Sequence, residues 1–162
     1  MKPTRAVGIQ YGALPYRLEA EQVRILLITS RETRRWVIPK GWPITGLKPQ
    51  DAAAAEASEE AGLIGRVEST PLGSYRYLKR LKRDQLLAVQ VIVFPFHVQG
   101  QFGSWKEQGQ RTSQWFAYRK AASLVAEPSL RRLIRDFGAA RTASFLARNL
   151  RRYRSWRFGA LR

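Results

Sequence analysis

A mixed α/β or α+β fold is predicted by three features of the 162-residue chain. Apolar runs of strand length are separated by turn-forming clusters; one alanine- and glutamate-rich stretch has the composition of a short helix; and an apolar repeat near the C-terminus has the helical period. Val7 to Tyr16 is the first expected strand, and Val23 to Thr29 (VRILLIT) is a second, buried one. Arg35 to Ile38 is a third, and it runs into a Gly/Pro-rich loop, Lys40-Gly41-Trp42-Pro43 and Ile44-Thr45-Gly46-Leu47.

The helix is expected from Pro49. Proline suits a first helical position and Gly62 the residue just past the end. Asp51 complements the N-terminal dipole, and Ala52 to Ala55 are the best helix formers. Two strands follow, Val67 to Leu78 and Leu86 to Val98, joined by the basic turn Lys79-Arg80-Leu81-Lys82-Arg83-Asp84. The second alternates at Leu87, Val89, Val91 and Val93 yet is apolar on both faces, so it belongs at the centre of a sheet. Gln114 to Tyr118 is a further short strand and Arg119 to Val125 a helical turn. From Ser129 the chain is helical, with Leu130, Leu133, Ile134 and Phe137 on one core-facing stripe.

Length suits one domain, and 44% hydrophobic residues can build a core. The absence of cysteine excludes a disulfide framework and a thiolate metal site, and it fits a cytoplasmic location. Met1-Lys2-Pro3-Thr4-Arg5 leads into no apolar stretch, so no signal peptide is expected. The longest apolar stretch, Leu86 to Phe96, is interrupted by Gln90 and Pro95 and falls far short of the roughly 20 residues that span a bilayer.

The chemistry is concentrated in Glu56, Glu59 and Glu60. At i, i+3 and i+4 on a helix their carboxylates share a face, and like charges at that spacing need neutralising. A hard divalent cation, which prefers oxygen ligands, does so. With the strand and Gly/Pro-rich loop before it, this segment resembles the signature box of the Nudix hydrolase family: Gly, five residues, Glu, seven residues, Arg-Glu-apolar-any-Glu-Glu-any-Gly-apolar. Gly41, Glu56, Glu59, Glu60, Gly62 and Leu63 fall on the matching positions across 41–63. Two positions depart from it. Leu47 replaces the first Glu and Ala55 replaces the Arg, charges that in the family help tie the loop to the helix and orient the catalytic carboxylate. Losing one alone would strand a charge, whereas losing both removes the pair.

The resemblance implies an α/β/α sandwich with a mixed sheet and a catalytic loop-helix-loop, in a domain spanning 1–140. It also implies Mg²⁺-dependent (or Mn²⁺-dependent) hydrolysis of a diphosphate linkage in a small polyphosphorylated substrate. Glu56, Glu59, Glu60 and the Gly41 carbonyl are the implied metal ligands, and Glu56 or Glu60 the acceptor of the water's proton. A further glutamate from a later loop is used by many members, and Glu107 is the candidate. Residues 35 to 41 (RWVIPKG) and 13 to 17 (ALPYR) look most like the branch acting on diphosphoinositol polyphosphates and dinucleoside polyphosphates. Basic residues that could meet such a substrate are Arg17, Arg31, Lys40, Arg76 and Arg80, with Lys79, Lys82 and Arg83 beside them at the hairpin tip. His97, the one histidine, reads as structural. The rival class is a binding module that has lost catalysis and holds polyphosphate or RNA.

Net charge is the second informative feature. The chain carries +17, and from residue 129 onward ten arginines face one acid, Asp136. Such a field attracts polyanions. The arginine-rich extension, 141–162, is therefore expected either to contact nucleic acid or another polyanion, with Tyr153, Trp156 and Phe158 interleaved, or to dock on the domain through Leu146, Leu150 and Tyr153.

Overall fold

The computed structural model describes residues 7–159. Among them eight strands form one mixed sheet with helices on both faces. β1 (Gly8–Glu19) and β2 (Gln22–Thr29) make a hairpin. Its turn, Ala20-Glu21, has positive φ at both residues, the backbone that matches the twist of the flanking strands. β1 also runs parallel to the long β7 (Leu86–Gln101), from Gly8 opposite Val89 to Tyr16 opposite His97. β7 is central, as its two apolar faces predict.

β1 and β2 part after Ile25, and two short strands fill the gap. β3 (Trp36–Val37) pairs with β2, and β4 (Lys40–Gly41) pairs with β1. This places Gly41 inside the sheet, opposite Tyr11. The far edge of β2 takes β8 (Ser113–Ala117). The other edge of β7 takes two partners in succession, β5 (Leu63–Val67) and β6 (Gly73–Arg80). The single strand expected over Val67 to Leu78 is thus overturned: residues 68–72 cross from one stretch of β7 to the next, with Pro71 in the crossing. Pro cannot donate to a ladder, and it marks that break.

Helix α1 (Pro49–Ala61) covers one face, packing Ala53, Ala57 and Ala61 on Ala13, Leu26, Ile28, Phe94 and Phe96. Alanines let the helix lie close to the sheet, which brings its glutamates near the backbone of β4. The opposite face is covered by α2 (Tyr118–Leu124) and α3 (Pro128–Gly159). Leu130, Ile134 and Phe137 are buried there against Leu14, Ile25, Val89 and Val91. Gly138 allows α3 to meet Tyr118: a Cβ there would lie no more than 2.6 Å from three atoms of that side chain. Gly138→Ala is expected to lower stability by about 1–3 kcal/mol, the range for overpacking, measured by urea denaturation; a variant as stable as the parent would contradict this packing.

α3 continues unbroken past the core. Arg141 pairs with Glu68 and lies over the rings of Tyr16 and Phe137. Beyond it the inward docking considered for Leu146, Leu150 and Tyr153 is overturned: they are 39%, 66% and 65% exposed. These three side chains lie beyond the stretch of α3 that packs in the core, Leu130, Ile134 and Phe137. Those of Trp156 and Phe158 lie outside the described residues. His97 stacks on Tyr16 at 5.1 Å, away from the acidic helix.

Candidate active site

The acidic face of α1 looks onto β4. Gly41 is where a side chain cannot be: a Cβ there would lie no more than 2.7 Å from Oε1, Cδ and Oε2 of Glu56. The Glu56 carboxylate thus packs directly on the Gly41 backbone. Glu60, one turn on, is buried. Its Oε2 accepts a 3.3 Å hydrogen bond from the Lys40 backbone N–H, and its Oε1 accepts one of 2.8 Å from Arg111 Nη2. Glu59 is more exposed and pairs with Lys106 at 2.9 Å.

Glu107 reaches this cluster through the end of the helix. The last carbonyls of a helix lack intrahelical donors. Here the loop after β7 supplies them: Phe102 N–H to Gly62 O, Glu107 N–H to Glu59 O, and the Gln101 side-chain amide to Ala61 O. Gly62 ends the helix in the left-handed region, φ 66°, and the Trp105 indole packs on its bare Cα face. The glycine legible as a helix stop is therefore also a seat for the loop. Glu107 then pairs with Arg111 at 2.9 Å and with Arg31 at 3.3 Å.

Burial and mutual repulsion shape the titration of the cluster. Glu60 is pushed up to about 7, burial outweighing Arg111 and Lys40. Glu56 is raised first by burial, then by the charges of Glu59 and Glu107. Lys40, whose ammonium lies 5.2 Å from the centre of the Tyr77 ring, is lowered to about 8 by burial against the pull of Glu60. Its surroundings are polar: Tyr77 donates to the buried Gln10, and Arg35 pairs with Glu127.

The other basic candidates separate. Arg31 borders the site. Arg17 pairs with Glu19 and lies on Trp115, Arg80 stands at the hairpin tip with Asp84, and Arg76 is exposed on β6 opposite Gln90. The structure adds one residue the sequence does not single out, Arg111. It lies 51 positions from Glu60, and no spacing rule connects a loop arginine to a helix that distant.

The loop-helix-loop, the carboxylates on a helix packed against a mixed sheet, and helices on both faces define a Nudix-type scaffold. The NUDIX domain family model matches residues 10–137, and the chain belongs to that family. Among proteins of Arabidopsis thaliana it is 30% identical over 111 residues to Nudix hydrolase 18, mitochondrial, covering 64% of this chain and 61% of that protein. It is also 30% identical over 131 residues to Nudix hydrolase 21, chloroplastic, covering 78% and 64%. The chain thus spans about three fifths of the length of these relatives. In fold it is similar to a C. elegans Ap4A hydrolase (TM-score 0.60, 21% identity, 87% of this chain and 98% of that one). A NUDIX hydrolase from Nitrosomonas europaea gives a TM-score of 0.63 at 17% identity, covering 83% and 90%.

Proposed function

We propose that the protein hydrolyses a diphosphate linkage in a small polyphosphorylated molecule, water attacking at phosphorus. The observation that carries this reading is the packing of Glu56 on the Gly41 backbone beside the buried Glu60, with Glu107 joined to Glu60 through Arg111, so that two elements remote in sequence contribute to one acidic site. A binding module for phosphates would be hindered by that many carboxylates. The donor set is all oxygen, which suits Mg²⁺ or Mn²⁺, and a bound cation would offset the burial, and the lesser mutual repulsion, that raise Glu56 and Glu60. Among the described residues no three acidic side chains stand close enough to hold an ion as they are; Glu59 is turned to Lys106, and Glu60 and Glu107 are tied to Arg111. Lys106 is exposed, so Glu59 is free to turn inward.

Glu56, Glu59, Glu60 and the Gly41 carbonyl would hold the metal, which when bound supplies charge neutralisation and a more acidic water. The chain's own groups do the rest. Arg31, bordering the site, is placed to meet substrate phosphates in a bidentate manner, whereas the Lys40 ammonium is buried against Tyr77 and contributes its charge from there. Glu60 or Glu56 would take the proton from the attacking water, with Glu107 close by across Arg111. Phosphoryl transfer asks mainly for such positioning and charge balance.

The substrate class follows from the resemblance of residues 13–17 and 35–41: diphosphoinositol polyphosphates or dinucleoside polyphosphates, with nucleoside diphosphate derivatives as the third choice. A phosphate-release screen over these with Mg²⁺, repeated with chelator, tests the reading. Chelator-sensitive release from at least one of them is expected; binding without release from any would favour the rival, a polyphosphate-binding module. No helix among the described residues is long and apolar enough to cross a membrane. The cytoplasmic location is part of this proposal, checked by cell fractionation.

The extension 141–162 is proposed to tether polyanions, nucleic acid among them, and to take no part in the chemistry. Its exposed stripe and arginines, Arg148, Arg151 and Arg154 included, motivate this. Deleting residues 142–162 keeps Arg141 on Glu68. Turnover of a small substrate and the melting temperature are expected to change little, while retention on heparin or RNA falls and loses salt dependence, close to one unit of slope per phosphate contact. A large drop in melting temperature with polyanion binding unchanged would make the extension structural and end the tether.

A further inference from the structure

Arg111 is as enclosed as the carboxylates it serves, 10% exposed against 9% for Glu60 and 16% for Glu107. Its guanidinium spans three acceptors: Glu60 Oε1 at 2.8 Å, Glu107 Oε2 at 2.9 Å and the Thr29 carbonyl at 3.2 Å. Two carboxylates so withdrawn from water repel, and a cation between them offsets that repulsion. A lysine could supply the charge, but its three donors share one nitrogen; the planar fork of a guanidinium spreads Nε, Nη1 and Nη2 over the three acceptors.

The root of this side chain is also fixed. The next residue, Thr112, donates its backbone N–H to Thr29 Oγ1 at 3.0 Å, and Thr29 N–H donates to Thr112 O at 2.9 Å. The guanidinium is thus anchored to the end of β2 before it meets the acids. Neighbouring cations do not duplicate it. Lys106 serves Glu59 from an exposed position, and the exposed Arg31 meets Oε1 of Glu107 and the side chain of Gln110. Within the helix no cation stands beside these acids: position 55 is alanine, and Leu47 is exposed.

We propose that Arg111 is a positioning residue that holds Glu60 and Glu107 in the orientation the hydrolysis needs, supplying from a distant loop the cation that the acidic helix lacks at position 55. The inference rests on the hydrolytic reading above and assigns Arg111 no contact with the reacting atoms.

The test is Arg111→Ala with chemical rescue. The variant is expected to lose about a hundredfold in kcat, the scale of a misplaced catalytic group, with KM little changed because the substrate contacts are intact. Millimolar guanidinium, which fits the space left, restores part of kcat and raises the variant's melting temperature; sodium or ethylammonium at equal ionic strength does neither, and the parent gains nothing from guanidinium. A general loss of structure would not respond this way, since guanidinium otherwise destabilises folded proteins. Arg111→Lys, the variant to use if Arg111→Ala does not fold, regains charge without the fork and is expected to stay well below parent kcat. Parent kcat in Arg111→Ala, or in Arg111→Lys where that variant stands in for it, overturns the proposal. So does guanidinium acting no differently from sodium in both readouts. The melting arm needs no substrate: a parent inert on every polyphosphate overturns the hydrolytic reading, while guanidinium-specific stabilisation still decides whether these two acids require that cation.

Discussion

Glu60→Gln is expected to lower kcat by two orders of magnitude or more, about 3 kcal/mol in barrier, the scale of removing a key electrostatic group. The substitution keeps the shape of the side chain and one oxygen, which can still accept from Arg111, while the NH2 replaces the oxygen that accepts the longer bond from the Lys40 backbone N–H. It removes the charge and the proton-accepting capacity. Arg111 keeps Glu107 as its counter-ion, so no buried cation is stranded and the melting temperature is expected to hold. Steady-state kinetics on whichever substrate the release screen identifies, with a melting curve beside them, measures both. A Glu60→Gln enzyme as active as the parent would remove Glu60 from the centre of the site; lost activity together with a collapsed melting temperature would make its role structural.

Gly41→Ala is expected to cost nearly as much activity at little cost in stability. The Gly41 backbone does not have a positive φ, so alanine suits the local conformation and the effect is steric. The added methyl would occupy the place of the Glu56 carboxylate. That group is the tip of a flexible side chain, which turns away instead of pushing the sheet apart, so stability should fall by less than about 1.5 kcal/mol, the limit for tolerated core changes. The carboxylate, however, leaves the position the site uses. A second substitution separates the two effects. In the Gly41→Ala background, Glu56→Ala removes the clash and should recover the lost stability without recovering activity. If Gly41→Ala retains full turnover, the packing of Glu56 on Gly41 has no catalytic consequence.

Most of the sheet was legible because its strands announce themselves locally. The VRILLIT run and the doubly apolar β7 need only their own side chains to identify a buried strand. The break between β5 and β6 was not legible in the same way. Val67 to Leu78 shows Pro71 and Gly73 as interruptions, but these do not tell that the residues on either side pair with different stretches of one edge of β7. The long helix divides similarly. Leu130, Ile134 and Phe137 repeat with the helical period and are buried, while Leu146, Leu150 and Tyr153 repeat with the same period and are exposed, since periodicity describes a stripe but not whether anything lies under it.

The site divides along the same line. Three glutamates on one face, a glycine opening the loop and a glycine closing the helix are properties of spacing within 41–63, and the sequence by itself determined them, together with the family they indicate. Glu107 was visible only as an acid in a loop. The tertiary structure decided that its backbone would cap the carbonyl of Glu59, that Trp105 would sit on Gly62, and that Arg111 would reach Glu60 across 51 residues. The physical reason is that a helix face follows from a fixed rise and rotation per residue, whereas a contact between remote segments follows from how the sheet is ordered and where its loops are tied down. The missing charge at position 55 could be read as a loss from the sequence; that a buried guanidinium stands between Glu60 and Glu107 could be seen only where the chain folds back upon itself.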